Sequence, residues 1–250
     1  MCLTVFFVGK VTYAIVNPVV KLLQVVTQIN SKDITDDIPH IKGGSREVSH
    51  VYASFEKLYL VVRFSNAAFF SGDLLVAYQV LFEAEMLFKQ LKNDKAIGVA
   101  NNNIANTLLA LYTKLTTADL EANQFPSMKG REILNLVGVQ HVKDLVEMTS
   151  KRYDNAVKGA NDDLSKRKGG EGMRHEEKSF TVQLANRLFN RGIWNLKLAI
   201  MEGGASAMLM KGEGSREYWR QGMDDIKKTM ALDEETRDSG GFMFDTLLGR

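Results

Sequence analysis

The chain has little of several things that would name a function outright. One cysteine, Cys2, in 250 residues excludes an internal disulfide framework and any multi-cysteine metal centre, and fits a reducing compartment. Three prolines, Pro18, Pro39 and Pro126, leave few breaks in a pattern of apolar residues that recurs at helical spacing nearly throughout. There is no surplus of either charge: 32 Lys plus Arg against 30 Asp plus Glu give +2, too near balance to argue for a nucleic-acid partner. What is present, 45% hydrophobic and 25% charged residues, is the make-up of an ordinary folded protein with a core. The expectation is an all-α fold.

Signatures of chemistry are equally sparse. Neither KGGEGMRH nor MKGEGSRE has the glycine-lysine spacing by which a loop of backbone amides cradles phosphate. His175-Glu176-Glu177 lacks the second histidine, four residues on, that a zinc-binding helix needs, and reads as a solvated charged turn. His40, His50 and His141 share no spacing that puts two of them on one face. No GxSxG nucleophile elbow occurs, and EVSHVY around His50 lacks the setting of a phospho-accepting histidine. No catalytic residue, metal ligand or cofactor is assigned. Lys166 to Gly172, Gly203-Gly204 and Lys211 to Ser215 read as loops.

Residues Met1 to Val16, MCLTVFFVGKVTYAIV, are apolar but broken by Lys10 and shorter than the roughly 20 residues a spanning helix requires. A secretory signal would carry early positive charge and a small-residue cleavage site, and neither is present. A core helix and the cytoplasmic end of a transmembrane helix remain. Lys10 and Tyr13 suit a membrane interface, so 1–17 is taken as the end of a spanning helix that begins outside this chain.

From Pro18, which suits a first helical turn, Val19, Leu22, Val26 and Ile29 recur at three- and four-residue steps, the spacing of a coiled-coil seam. A connector rich in Asp, Gly and Ser follows, with apolar pegs at Ile34, Ile38 and Ile41. A second seam runs through Val48, Val51, Phe55, Leu58 and Val62. Two stripes this narrow imply burial against a second copy, so a homodimer through 18–62 is expected. Pro18, the Asp33-Ile34 step, Ser45-Arg46-Glu47-Val48 and Phe55-Glu56-Lys57-Leu58 together resemble a HAMP domain. That resemblance implies a parallel four-helix bundle just inside a membrane, with Glu47 supporting the junction of the two helices. The chain departs from the family at Arg46, where Asp is usual, and at Ser49, where Gly is frequent.

Farther on, Gly72-Asp73-Leu74-Leu75-Val76-Ala77-Tyr78 with Leu81, Ala84 and Phe88 resembles a tetratricopeptide repeat. Gly72 would stand at the turn, while Ala77 and Ala84 would allow close helix approach beside Leu81. Ser65 and Ala68 match more loosely in the preceding helix. After a turn at Lys92 to Lys95, Ala100, Ile104, Ala105 and Leu108 repeat the small and large offsets. Asn101, Asn102 and Asn103 resemble the polar face of such repeats, either as a peptide-binding surface or as a solvated face. Beyond Leu115 the likeness fades to weaker matches around Tyr153 and Ala156, and around Leu184, Ala185, Leu188 and Phe189.

The organisation expected from the sequence is therefore a membrane-proximal helix (1–17), a HAMP-like relay bundle (18–65), tetratricopeptide-like repeats (66–115), and degenerate helical repeats with long loops (116–250), the repeats forming an α-solenoid. The chain as a whole reads as a membrane-associated signalling protein with 18–250 cytoplasmic. Its repeats would hold a protein or peptide partner. The rivals are a soluble helical-repeat scaffold without membrane or signalling role, and a subunit whose catalytic domain lies beyond Arg250.

Overall fold

The computed structural model describes residues 20, 60–61, 63–122, 128–166, 174–203 and 213–238, and every element among them is helical, with no strand. The all-α expectation holds for this part of the chain. The segment 1–17 and the relay residues Pro18, Ile34, Glu47, Val48, Val51, Phe55 and Leu58 lie outside the described residues, as does most of the glycine-rich stretch after Lys166. The helices are α1 (63–70), α2 (Leu74–Gln90), α3 (Asp94–Ala122), α4 (Met128–Val137), α5 (Val142–Ser165), α6 (Arg174–Gly203) and α7 (Glu213–Asp238). No helix among the described residues is long and apolar enough to cross a membrane.

Local chemistry sets the helix ends. Gly72, at φ 82, and Gly138, at φ 84, take the left-handed conformation that closes α1 and α4. The N–H of Asp73 then reaches Ala68 O at 2.8 Å, and that of Val139 reaches Leu134 O at 3.0 Å, which satisfies carbonyls a helix end leaves open. Between α2 and α3 the same role falls to Lys92, at φ 52. Asn93 then caps α3, its Oδ1 accepting the Ala96 N–H at 3.1 Å, the local bond that favours Asn at a helix start. At α5, Asp144 accepts the backbone N–H of His141 at 3.0 Å.

Two segments read from the sequence, one as a charged turn and one as a loop, stand where helices begin. Arg174 opens α6, so His175-Glu176-Glu177 lies in its first turn. Glu213 opens α7, so Glu213, Gly214 and Ser215 are helical, and Ser215 is anchored by donating to Ala199 O at 2.8 Å.

The chain divides into two compact units, 1–80 and 81–250. In the first, Ser65, Ala77 and Tyr78 are buried, while Phe70, in edge-on contact with Phe69, is 84% exposed. In the second, α5 packs between α3 and α6, α7 packs on α6, α4 rests on α3, and α3 also touches α6. Its core includes fully buried Ile104, Leu108, Leu115, Leu145, Tyr153 and Trp194. The Trp194 ring meets Tyr112 edge-on at 5.5 Å, and its Nε1 donates to Ser150 Oγ at 2.9 Å, as a buried indole requires. A second cluster joins Val157, Ala160, Leu164, Phe180, Leu184 and Leu188, with Leu232 of α7 against it.

Side-chain pairs reveal the helix directions. Ser215 with Ala199 and Thr229 with Ala185 run α7 antiparallel to α6. Trp194 with Ser150 and Arg187 with Ala156 run α6 antiparallel to α5. Gly159 against Gly98 and Tyr153 with Asn106 run α5 antiparallel to α3. Asn190 with Asn102 and Lys197 with Thr113 run α3 and α6 parallel. These two helices also share a pattern: the run Ile104-Ala105-Asn106-Thr107-Leu108-Leu109 is matched by Leu184-Ala185-Asn186-Arg187-Leu188-Phe189, and residues 101–110 and 181–190 have the same order of buried and half-buried positions throughout.

Candidate ligand groove and partner face

Two surfaces of the second unit gather polar groups. The first is a groove of about 580 Å³ whose walls are α2, the start of α3 and one face of α5. On the α2 side Glu85 is almost fully buried, and its Oε1 takes both Lys89 Nζ and Arg152 Nη1 at 2.7 Å. Burial alone would raise the Glu85 pKa. The hydrogen bonds and charges of Arg152 and Lys89 outweigh it, and the carboxyl is held below its ordinary range. Arg152 also donates to Asn101 Oδ1 at 2.8 Å, and Glu85 Oε2 has no hydrogen-bond partner among the described residues. Along α5, Lys151, Asn155, Lys158 and Gly159 continue the wall, and Gly98 of α3 stands opposite.

Arg187 of α6 reaches this place from within the core. It is 4% exposed, and a Cβ on Gly98 would stand 2.8 Å from its Nη1. Nη1 donates to Ala156 O at 2.9 Å, and Nη2 has no partner among the described residues. Burial lowers the guanidinium pKa, and the charge of Asp163 acts the other way.

The second surface is the exposed side of the parallel pair α3 and α6. Asn190 Nδ2 donates to Asn102 Oδ1 at 3.1 Å, Asn102 Nδ2 to Asn103 Oδ1 at 3.4 Å, and Lys197 Nζ to Thr113 Oγ1. Partial burial depresses the Lys197 pKa. Exposed Val99 on α3 and exposed Ile193, Ile200 and Met201 on α6 lie along these helices. Behind the face, Arg191 clamps three helices: Nε and Nη2 bind both oxygens of Asp225 on α7 at 2.8 Å, and Nη1 binds Asp154 on α5 at 2.9 Å. The Asp225 bonds, opposed by burial, hold the Arg191 pKa above its usual value.

The residues singled out from the sequence are distributed as follows. Ala77, Leu81, Ala84, Ile104 and Ala105 are all buried, and Gly72 is an exposed turn glycine. The three asparagines part company: Asn101 is 4% exposed and turned to Arg152 and the groove, its Nδ2 donating to Ile97 O at 3.0 Å, whereas Asn102 and Asn103 belong to the α3/α6 face. Among the described residues no group of three or more His, Cys, Asp or Glu is placed to hold a metal ion.

The chain was compared with protein-family models, curated proteins and solved structures. Nothing matches. The HAMP and tetratricopeptide likenesses therefore rest on the residues quoted for them. Sequence reasoning missed Glu85, Arg152, Arg187 and Asn190, which carry the polar geometry of both surfaces. The available signal was the repeated run from Ile104 and from Leu184, which puts Arg187 where the first copy has Thr107.

Proposed function

We propose that the chain works by binding rather than by catalysis: its second unit is a stack of paired helices that presents the α3/α6 face to a partner protein. The observation that carries this reading is the parallel juxtaposition of α3 and α6, two helices with matching sequence runs and matching burial, each backed by an antiparallel mate, α5 and α7. In such a stack the first helices of successive pairs line one side and form a continuous surface for a partner. The face has the mixture an interface uses, apolar Ile193, Ile200 and Met201 beside amides that pair readily with a peptide backbone. Upstream, the heptad seams and Glu47 support a HAMP-like relay in a homodimer attached to a membrane, which would couple a signal to the availability of this face.

Proximity labelling with the full chain in its own cells, against a chain carrying Ile193→Asp and Ile200→Asp, tests the binding role. Both positions are exposed, so the double variant keeps its circular dichroism and melting temperature. The expected result is loss of a defined set of labelled proteins. An unchanged set overturns the proposal.

A further inference from the structure

Arg187 poses a physical problem that the repeat pattern does not create. At the equivalent position of α3 the chain has Thr107, 1% exposed, whose hydroxyl is satisfied by its own helix through Asn103 O at 2.9 Å. The stack therefore needs only a small polar residue there. In α6 a guanidinium takes its place, and Gly98 supplies the room: any Cβ there would stand 2.8 Å from Arg187 Nη1. A cation removed from water is costly unless it is paired, and no carboxylate among the described residues forms an ion pair with Arg187. Asp163 is the one charge that supports it, and does so through space.

The glycine against which Arg187 lies, Gly98, is part of the groove wall, and so is Gly159 opposite. The groove is lined by Lys89, Lys151, Arg152, Lys158 and Lys166 against Glu85, Asp94, Asp162 and Asp163, one cation in excess, and Arg187 beneath it makes the excess two. Glu85 is already committed to Lys89 and Arg152, and Asp162 and Asp163 stand toward the C-terminal end of α5. The span from Arg152 through Asn155 to Lys158, one face of α5, has donors and no carboxylate. A volume of about 580 Å³ lies within the roughly 300–1,000 Å³ of small-molecule sites.

We propose that this groove is a binding site for a small ligand bearing an oxyanion, carboxylate or phosphate, which seats over Gly98 and Gly159 between Arg152 and Lys158 and supplies the counter-charge that Arg187 lacks. Asn155 and Lys158 make the direct contacts, and Arg152, its Nη1 held by Glu85 and Asn101, adds its charge. Arg187 is a positioning charge that acts through the thin glycine wall, in an interior where its field is weakly screened. The site is separate from the α3/α6 face and would let a metabolite or nucleotide-like anion stabilise the stack.

The test is calorimetric titration and thermal unfolding of the full chain with inorganic phosphate in one arm and sodium glutamate in the other, at constant ionic strength set by chloride. Saturable binding in the phosphate arm assigns a phosphate ligand, and saturable binding in the glutamate arm a carboxylate. In the effective arm, Lys158→Gln, on an exposed residue that is safe for folding, weakens binding about tenfold. Arg187→Gln weakens it by a similar factor, yet without the anion it melts no lower than the native chain, because it removes an unpaired buried charge. Saturation in neither arm overturns the proposal. So does binding that Lys158→Gln leaves at full strength. If Arg187→Gln melts lower and Lys158→Gln binds normally, Arg187 is a structural residue and the proposal fails.

Discussion

At the scale of single residues, buried charge is handled in two opposite ways. Glu85 is given partners on both sides, Lys89 on its own helix and Arg152 across on α5, and its carboxyl is held below the ordinary range despite burial. The linked stability follows from that direction. A depressed folded-state pKa contributes stability above the unfolded glutamate value, and the contribution disappears as pH falls through the folded value. Glu85→Gln should therefore cost about 1–3 kcal/mol at neutral pH, the range for hydrogen bonds to charged groups. The gap to the native chain should close as the pH is lowered through the acid range, as measured by urea unfolding at a series of pH values. A gap that stays constant into acid would show that the Glu85 charge does not matter. Arg187 receives no such partner among the described residues, and that contrast points to an external anion.

At the scale of helices, α6 and α7 are held together by close approach as well as by charge. A Cβ at Gly222 would meet Leu196 at 2.8 Å and the Gly192 carbonyl oxygen at 3.0 Å, and one at Gly192 would meet Gly222 O at 3.1 Å. Leucine can turn aside, but a backbone carbonyl has nowhere to go. Gly222→Ala gains at most about 1 kcal/mol in helix propensity and loses roughly 1–3 kcal/mol to overpacking. The net effect should be a lower denaturation midpoint, with the Arg191–Asp225 clamp, one turn away, loosened. A midpoint equal to or above the native one would mean that α7 shifts freely. Apolar spacing was enough to read the existence of these helices, since Leu184, Ala185 and Leu188 repeat the offsets of Ile104, Ala105 and Leu108 and are buried as they are. The ends of the helices were less legible. Gly203-Gly204 and Lys211 to Ser215 each read as a loop, yet α6 continues through Gly203 and α7 begins at Glu213, because packing along the pair outweighs the low propensity of Gly214.

At the scale of the whole molecule, composition and spacing led to the all-α class that the described residues show, while the polar sites escaped the sequence. An arginine reads as a surface residue until the glycines that make room for it are known to face it, and those glycines, Gly98 and Gly159, lie 89 and 28 positions away in the chain. The three consecutive asparagines read as one face, but adjacent positions on a helix point about 100° apart, and Asn101 turns to the groove while Asn102 turns to α6. For 18–62 the heptad seams predict a dimer. Analytical ultracentrifugation of the full chain should give twice the mass of the single chain, and Val51→Asp with Phe55→Asp should halve it. A native chain that sediments as a monomer would end the relay reading while leaving the α3/α6 face untouched.

The seam between α3 and α6 has a mechanical meaning. Interlocked glycines and a two-pronged arginine leave α6 and α7 one register. Between α3 and α6 the bonds run from amide to amide and from lysine to hydroxyl, and Asn103 offers Asn102 an alternative partner. Such bonds can be exchanged for neighbours of nearly equal strength, whereas a bidentate ion pair cannot. The exchangeable bonds are those of the α3–α6 contact itself, since Arg191 to Asp154, Trp194 to Ser150 and Arg187 to Ala156 O tie α6 to α5.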